Sequence, residues 1–159
     1  MRQSDFFNIC KTCNIDCCKD VNPPITKKRR QNIESFLPSD SVNFETKNFT
    51  YPKHDKDGFC IFYNRRTRKC KIQPVKPETC VAGPFTFDIK DNKILWYLKQ
   101  PSACPLAAAL HQNKELLEKH FQTAKREIRR LIEDLTPFEL RQVLTVEEDN
   151  VVFIGEDKL

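Results

Sequence analysis

Four cysteines fall within nine residues near the start of the chain, and their spacing is typical of metal binding. They are Cys10, Cys13, Cys17 and Cys18, in the pattern C-x2-C-x3-C-C. Two cysteines that are separated by two residues can turn both sulfur atoms toward one metal ion. Neighbouring side chains point to opposite sides of an extended backbone. We therefore expect Cys17 and Cys18 to serve either two different centres or one large centre.

Four more cysteines follow singly, which indicates a metal or disulfide framework rather than scattered structural thiols. They are Cys60, Cys70, Cys80 and Cys104, and they bring the total to eight in 159 residues. Disulfides are the main alternative. The C-x-x-C spacing argues against them, and so does the N-terminal segment, which has no apolar stretch of secretory length. The sequence predicts a cytoplasmic protein in which all eight cysteines are metal ligands.

The spacing of the cysteines favours an iron–sulfur cluster over a zinc ion. Structural zinc sites most often use two closely spaced ligand pairs, and only Cys10 and Cys13 form such a pair here. An iron–sulfur core spans more distance than one ion and accepts widely separated thiolates. We expect a 4Fe–4S cluster, with zinc as the alternative. Eight thiols permit two four-thiolate centres, or one centre with spare thiols.

Other catalytic chemistry has little support in the sequence. No Ser/His/Asp set, phosphate-binding loop or dinucleotide fingerprint occurs. The histidines are His54, His111 and His120. His54, which lies in a loop near Cys60, is the best non-cysteine candidate for the site, although an exposed loop histidine is the commoner case. We expect His111 and His120 on the surface of a helix. Whether the protein is an enzyme stays open.

The chain is moderately basic, with a net charge of +5, and its cations are concentrated in three runs. The runs are residues 27–30, 65–71 and 125–130. Such cations can contact phosphates, offset the negative charge of a thiolate-ligated cluster, or form solvated helix faces. No nucleic-acid-binding motif accompanies them, so we do not favour that partner. We expect Lys69 and Lys71, which flank Cys70, to support the metal site, and Arg65 and Arg66 to be solvated.

The elements that must position the cysteines indicate an α+β fold in one domain, residues 1–159. Residues 1–22 have no helical or strand period and are expected to form a loop around the metal. Thr26 can cap a short helix over about residues 27–36, with Ile33, Phe36 and Leu37 facing inward. Residues 41–58 are expected to form a long loop that covers the cysteines. No apolar run approaches the roughly 20 residues that a membrane span needs.

Two β-hairpins are predicted in the middle of the chain. The first pairs residues 59–63 with residues 70–72, which places Cys60 and Cys70 on its two arms. Several prolines indicate irregular backbone around Cys80. The second hairpin pairs residues 85–89 with residues 94–98, around a turn at Asp91 and Asn92.

Residues 106–159 are predicted to be a helical extension that packs against the cysteine-cluster part, residues 1–105. Apolar residues recur at helical spacing from Leu106 to Leu135, and Asn113 can divide this stretch into two helices. Thr136 begins a further helix, with proline at its first position and Glu139 three residues after the cap. A short strand over residues 151–154 can join the second hairpin.

The contexts of the eight cysteines resemble the YkgJ-type cysteine-cluster family, whose members are described as zinc- or iron-chelating proteins. The resemblance covers roughly residues 10–105. It rests on the first cysteine cluster and on Gly58-Phe59-Cys60, Cys70-Lys71-Ile72, Lys76-Pro77-Glu78-Thr79-Cys80 and Cys104-Pro105. The flagellin lysine N-methylases carry a similar arrangement, which is associated there with an iron–sulfur cluster.

The chain departs from the pattern of that family at several positions. The family often has glycine before the Cys-Cys pair, where Asn14-Ile15-Asp16 stand here, and Arg-Pro where this chain has Lys76-Pro77. Its following Arg-x-Phe-Pro is replaced by Val81-Ala82-Gly83-Pro84. These changes leave the cysteines intact but put in doubt any activity that depends on the arginine.

Two classes of function follow from these residues. In the first, the cysteines hold an iron–sulfur cluster with a redox or enzymatic role, on an unidentified protein partner or substrate. In the second, zinc folds a small module that presents a basic surface to a protein or nucleic-acid partner. Anaerobic purification with metal and sulfide analysis separates the two.

Overall fold

The structure is a computed structural model that describes residues 3–40 and 42–159, with side chains from residue 8 onward. Over these ranges helices alternate with small antiparallel sheets, so the predicted α+β class is confirmed. Among the helices in these ranges, none is both long and apolar enough to cross a lipid bilayer.

The N-terminal elements are short. They are α1 (Gln3–Thr12), α2 (Lys27–Phe36), β1 (Phe44–Thr46), β2 (Thr50–Pro52), β3 (Tyr63–Asn64), β4 (Lys69–Cys70) and α3 (Glu78–Ala82). A single 3₁₀ turn, Gln73–Val75, precedes α3. Strand β1 pairs with β2 and β3 with β4, and both pairs are antiparallel.

Helix α2 has the predicted bounds and the predicted cap. The Thr26 hydroxyl accepts a hydrogen bond from the Arg29 amide at 3.0 Å. Ile33 is buried and Leu37 is partly buried against the same small core. The prediction that Phe36 faces inward is wrong, because this side chain is 46% exposed. Phe36 is the last residue of the helix and lies beyond the core that Ile33 contacts.

The prediction of a loop over residues 1–22 is wrong in its first half, where helix α1 forms. Helix α1 packs against a helix that begins at Pro105, and Ile9 contacts the larger core of the protein. Contacts with a distant part of the chain therefore hold this helix, and a local sequence pattern does not reveal them. Residues 1 and 2 lie outside the described residues.

The prediction of a long loop over residues 41–58 is also wrong. Strands β1 and β2 form a hairpin there, in which Phe44 pairs with Pro52 and Thr46 with Thr50. The aromatic residues explain the difference, because Phe44 and Tyr51 are buried and anchor the two strands. Residue 41 lies outside the described residues.

The first predicted hairpin exists but is shorter than expected. Tyr63 pairs with Cys70 and Asn64 with Lys69. Cys60 does not lie on an arm of this hairpin, since it precedes β3 and forms an isolated bridge with His54. The expectation of irregular backbone around Cys80 is wrong, because Cys80 lies within helix α3.

The second hairpin is confirmed. Strand β5 (Phe85–Lys90) pairs with β6 (Lys93–Lys99), and the turn residues Asp91 and Asn92 have φ angles of 50° and 60°. Two consecutive left-handed residues produce the tight turn that suits the twist of a hairpin. The predicted C-terminal strand also forms, as β7 (Val151–Lys158), and it pairs with β6.

The C-terminal helices follow their capping signals closely. They are α4 (Pro105–Gln112), α5 (Lys114–Asp134) and α6 (Pro137–Val143). Asn113 ends α4 and caps α5, where its side chain accepts from the Leu116 amide at 3.0 Å. Thr136 and Glu139 form a capping box at the start of α6.

Two hydrophobic cores lie in the described part of the chain. The larger one fills the space between the β5–β6–β7 sheet and helices α4 and α5, with Trp96, Leu110 and Leu131 fully buried. The smaller one belongs to the N-terminal elements and contains Ile25, Ile33, Phe44, Phe62 and Ile72.

A buried ion network links the N-terminal elements to the C-terminal helices. Arg29 of α2 donates to Glu78 of α3 at 3.0 Å and to Glu127 of α5 at 3.2 Å. Both carboxylates are almost completely buried. One side chain from the first basic run therefore faces inward and joins three helices.

Candidate metal centre

The first four-cysteine group lies where helix α1 meets helix α4. Cys10 is near the end of α1, Cys13 and Cys17 follow in the next loop, and Cys104 is the residue that precedes α4. Because α1 packs against α4, these parts of the chain lie together although they are distant in sequence. We refer to these four residues as the Cys10 group.

Electrostatic coupling among the thiols defines the membership of this group. Burial raises the pKa of the Cys10 thiol, and negative charge on Cys104, Cys17 and Cys13 raises it further. Burial likewise raises the pKa of Cys17, followed by the charges of Cys104 and Cys13. A negative charge raises the pKa of another thiol only when it is close, so the four sulfur atoms share one region.

The second four-cysteine group lies around the β3–β4 hairpin. Its members are Cys18, Cys60, Cys70 and Cys80, and we refer to them as the Cys18 group. The Cys60 amide donates to the Cys18 carbonyl at 2.8 Å, and the Tyr63 amide donates to the Cys60 carbonyl at 2.9 Å. Since Tyr63 pairs with Cys70 across β3 and β4, these bonds connect three of the four cysteines.

Mutual electrostatics again connect the members. Burial raises the pKa of Cys18 to about 12, and the nearby charges of Cys60, Cys70 and Cys17 contribute to the increase. Burial also raises the pKa of Cys80 to about 12, with contributions from Cys18, Cys60 and Cys70. Cys80 is nonetheless exposed. The residue is therefore exposed at the surface although many protein atoms surround its thiol.

We assign the adjacent residues Cys17 and Cys18 to different groups by their other contacts, although the charge of Cys17 also raises the pKa of Cys18. This is the arrangement expected if a Cys-Cys pair serves two centres. All eight cysteines are free thiols, and Cys10, Cys17 and Cys80 are exposed while the others are partly buried. Among the residues that the structure describes, no three Cys, His, Asp or Glu side chains stand close enough to hold a single metal ion as they are.

The donor set nevertheless fits a sulfur-ligated metal group. Each group supplies four thiols, and thiolates are the donors that zinc and iron–sulfur clusters accept. A cluster also needs less convergence of its ligands than a single ion does, because its core occupies the space between them. The ligand set itself stays a prediction.

Lys76 is the cation that acts on both groups. Its ammonium lowers the pKa of Cys10, Cys18, Cys70 and Cys80, partly opposing the effect of burial. From the sequence, we expect Lys69 and Lys71 in this role, and Lys76 is not among the expected residues. The available signal was its place in the Lys76-Pro77 step, where the resembling family commonly has Arg-Pro.

The cations of the β3–β4 hairpin follow the expectation in part. Lys71 lowers the pKa of Cys60, and its ammonium donates to the Ile61 carbonyl at 3.3 Å. Arg68 donates to the carbonyl of Cys13 and so contacts the loop of the Cys10 group. Arg65 and Arg66 are exposed, as predicted.

The three histidines also receive definite positions. The His54 Nε2 atom lies 2.8 Å from the Val21 carbonyl, so a backbone hydrogen bond occupies this nitrogen. His111 is exposed, as predicted. The prediction that His120 is a surface residue is wrong. Its Nε2 atom lies 2.9 Å from the Gly83 carbonyl and its ring stacks on Phe85, because the loop after α3 folds over this part of α5.

Comparison with known proteins agrees with the cysteine arrangement. The model of a family described as "CxxCxxCC: Putative zinc- or iron-chelating domain" matches residues 9–120. A curated relative, "Uncharacterized protein MJ0661" of Methanocaldococcus jannaschii, is 32% identical over 101 residues, which cover 57% of this chain. The chain spans about half the length of that relative, at 54%. No solved structure matches the chain.

Proposed function

Because the chain belongs to the family of zinc- or iron-chelating domains, we propose that its cysteines hold iron–sulfur clusters of the 4Fe–4S type in a redox or enzymatic role. Membership covers the region from Cys10 to Cys104, which contains all eight cysteines. The proposal places the protein in the cytoplasm, where thiols stay reduced.

The interpretation of the eight thiols as two groups of four, from the packing of α1 against α4 and the hydrogen bonds around β3 and β4, supports this proposal. Four thiolates are the usual ligand complement of a 4Fe–4S cluster. The proposed ligands of one cluster are the Cys10 group and those of the other are the Cys18 group. Structural zinc more often uses two pairs of closely spaced cysteines, whereas Cys10 and Cys13 form the single such pair here and the Cys18 group collects its cysteines from separate parts of the chain.

A nearby cation makes both groups suitable for a negatively charged cluster. A cluster would supply one-electron chemistry when bound. Lys76 lowers the pKa of thiols in both groups, which favours their thiolate forms and offsets accumulated charge. Two cysteines of the Cys10 group, Cys10 and Cys17, are exposed, whereas one cysteine of the Cys18 group, Cys80, is exposed. The Cys10 group is therefore the better point of contact for an electron-transfer partner.

Anaerobic purification tests the proposal. We expect a brown protein with absorbance near roughly 400 nm and about four iron atoms and four sulfides for each occupied group. Cys104→Ser and Cys80→Ser provide a matched pair, since each removes one thiol from a different group. Each variant should lose about half of the iron. A colourless protein with stoichiometric zinc would contradict the proposal, and loss of all iron from either variant would indicate a single shared centre.

The alternative, a zinc module that presents a basic surface, is weakened by the ion pairs of the basic runs. In the third run, Lys125 pairs with Asp157 at 3.0 Å and Arg130 with Glu127 at 3.0 Å. In the first run, Arg29 faces inward and Arg30 pairs with Glu34 at 2.9 Å. Paired cations attract phosphates less strongly, so these residues give little support to nucleic-acid binding.

A further inference from the structure

A small cavity opens to solvent directly beside the loop of the Cys10 group. Its volume is about 280 Å³. This is slightly below the range of roughly 300–1,000 Å³ that drug-sized ligands occupy, so it suits a smaller molecule. The cavity is lined by Asn14, Asp16, Phe59, Tyr63, Arg65 and Arg68.

The positively charged side of this cavity is held in place by contacts within the protein. Arg65 donates to Asp57 at 2.6 Å, and its guanidinium carbon lies 4.4 Å from the centre of the Phe59 ring. Arg68 is held by its hydrogen bond to the Cys13 carbonyl. A guanidinium group that is already positioned loses little entropy when it binds a carboxylate, and its planar shape matches that partner.

The opposite charge on the cavity wall comes from Asp16. In the described part of the chain, neither Asp16 nor Arg68 forms an ion pair with another residue. A ligand that carries only negative charge would be repelled by Asp16, and one that carries only positive charge would be repelled by Arg68, since Asp57 offsets the charge of Arg65. A ligand with both charges offers a partner to Asp16 and to Arg68, and its carboxylate also lies near Arg65, which Asp57 already pairs.

Aromatic side chains form the remaining wall. The rings of Phe59 and Tyr63 stack with a centroid distance of 5.7 Å and an interplanar angle of 18°. Phe59 is buried, whereas Tyr63 is partly exposed. The partly exposed Tyr63 ring, which Phe59 supports from one side, offers a surface on which an aromatic group can pack.

We propose that this cavity binds a free aromatic amino acid. The carboxylate of the ligand lies against Arg65 and Arg68, its ammonium against Asp16, and its ring against Tyr63. The site does not depend on which metal the cysteines hold. It lies beside the loop between Cys13 and Cys17, so the bound molecule is adjacent to the Cys10 group.

The test uses the full-length, metal-loaded protein and three probes that differ in one charge each. They are L-phenylalanine, 3-phenylpropionate, which lacks the ammonium, and phenethylamine, which lacks the carboxylate. Isothermal titration should show L-phenylalanine binding at least about threefold to fivefold more tightly than either analogue. Equal affinities for the three probes, no saturable binding of L-phenylalanine, or full competition by inorganic phosphate would each overturn the proposal.

Three variants test which side chain contacts which charged group of the ligand. Asp16→Asn should weaken L-phenylalanine binding about threefold to fivefold and leave 3-phenylpropionate unchanged. Arg65→Gln should weaken both carboxylate ligands about tenfold. Arg66→Gln is the matched control, because Arg66 is exposed and does not line the cavity. Metal content is measured for each variant. If Asp16→Asn affects both carboxylate ligands equally at normal metal content, the proposal is wrong.

Discussion

At the scale of single residues, the position of Lys76 determines how the two cysteine groups share positive charge. Its ammonium lowers the pKa of thiols in both groups, whereas Lys71 acts on Cys60. A cation that serves two groups has more influence on their total charge than one that serves a single thiol. This makes Lys76 the most informative position for a charge substitution.

We predict that Lys76→Gln lowers metal retention more than Lys71→Gln does. Removal of the ammonium raises the pKa of several thiols further, so fewer of them are thiolates at neutral pH, and metal ligands must be deprotonated. Loss of a residue that supports metal ligands typically costs about tenfold or more in metal affinity. The rate of iron release to a chelator measures the effect. A larger effect for Lys71→Gln would show that Lys71 of the β3–β4 hairpin supports the metal ligands more than Lys76 does.

At the scale of elements, Asp157 attaches strand β7 to two neighbours. Its carboxylate accepts from the Trp96 indole of β6 at 2.8 Å and pairs with Lys125 of α5 at 3.0 Å. Burial opposes ionisation of this carboxyl, but the hydrogen bonds from Lys125 and Trp96 outweigh burial and hold its pKa below the usual value. One side chain thus fixes the edge strand to the sheet and to the longest described helix.

We predict that Asp157→Ala destabilises the protein by about 1–2 kcal/mol, because the fully buried Trp96 loses its acceptor. Glu156→Ala is the matched control. Its partner Lys93 and Glu156 itself are both about half exposed, so the cost should be within about 0.5 kcal/mol. Urea unfolding measures both. Similar losses of stability for the two variants would show that removing the hydrogen-bond acceptor of Trp96 costs no more than removing an exposed ion pair.

The same contact gives a pH dependence. The pKa of Asp157 is lower in the folded protein than in the unfolded chain, where the usual value is 3.8. The stabilisation is therefore complete above about pH 4 and is lost as the pH falls through the folded pKa. The stability difference between the wild type and Asp157→Ala should shrink below pH 4.

The elements that the sequence predicted correctly are those with strong local signals. The Asp91-Asn92 turn, the Asn113 cap and the Thr136 capping box each determine a boundary through neighbouring residues alone. Helix α1 and the β1–β2 hairpin depend on packing against distant parts of the chain, which local patterns do not contain. The grouping of the cysteines also depends on packing between distant parts of the chain, because Cys104 lies near Cys10 only where α1 contacts α4.

At the scale of the whole molecule, the Arg29 network connects the parts of the chain that carry the two cores. Arg29 lies on the helix that contributes Ile33 to the smaller core. Glu127 lies on α5, which contributes several residues to the larger core. Glu78 lies two residues from Cys80 on α3, so the network also fixes the helix that carries a candidate ligand.

We predict that Arg29→Met destabilises the protein by about 2–3 kcal/mol, since it leaves the buried Glu78 without its cation. Glu127 keeps its contact with Arg130, which limits the cost. Lys28→Met is the matched control, because Lys28 is exposed on the same helix and should change stability by less than about 0.5 kcal/mol. Thermal unfolding measures both. Equal effects would mean that the network does not couple the helices.

The one-residue connection between α4 and α5 forms part of a link between the two cysteine groups. Asn113 ends one helix and caps the next, so no other residue separates the two helices. Helix α4 begins next to Cys104, and α5 packs along α3, which carries Cys80. On the opposite side, the peptide bond between Cys17 and Cys18 joins the same two cysteine groups. The two groups are therefore connected twice, once by the Cys17–Cys18 peptide bond and once through α4, α5 and the packing of α5 against α3.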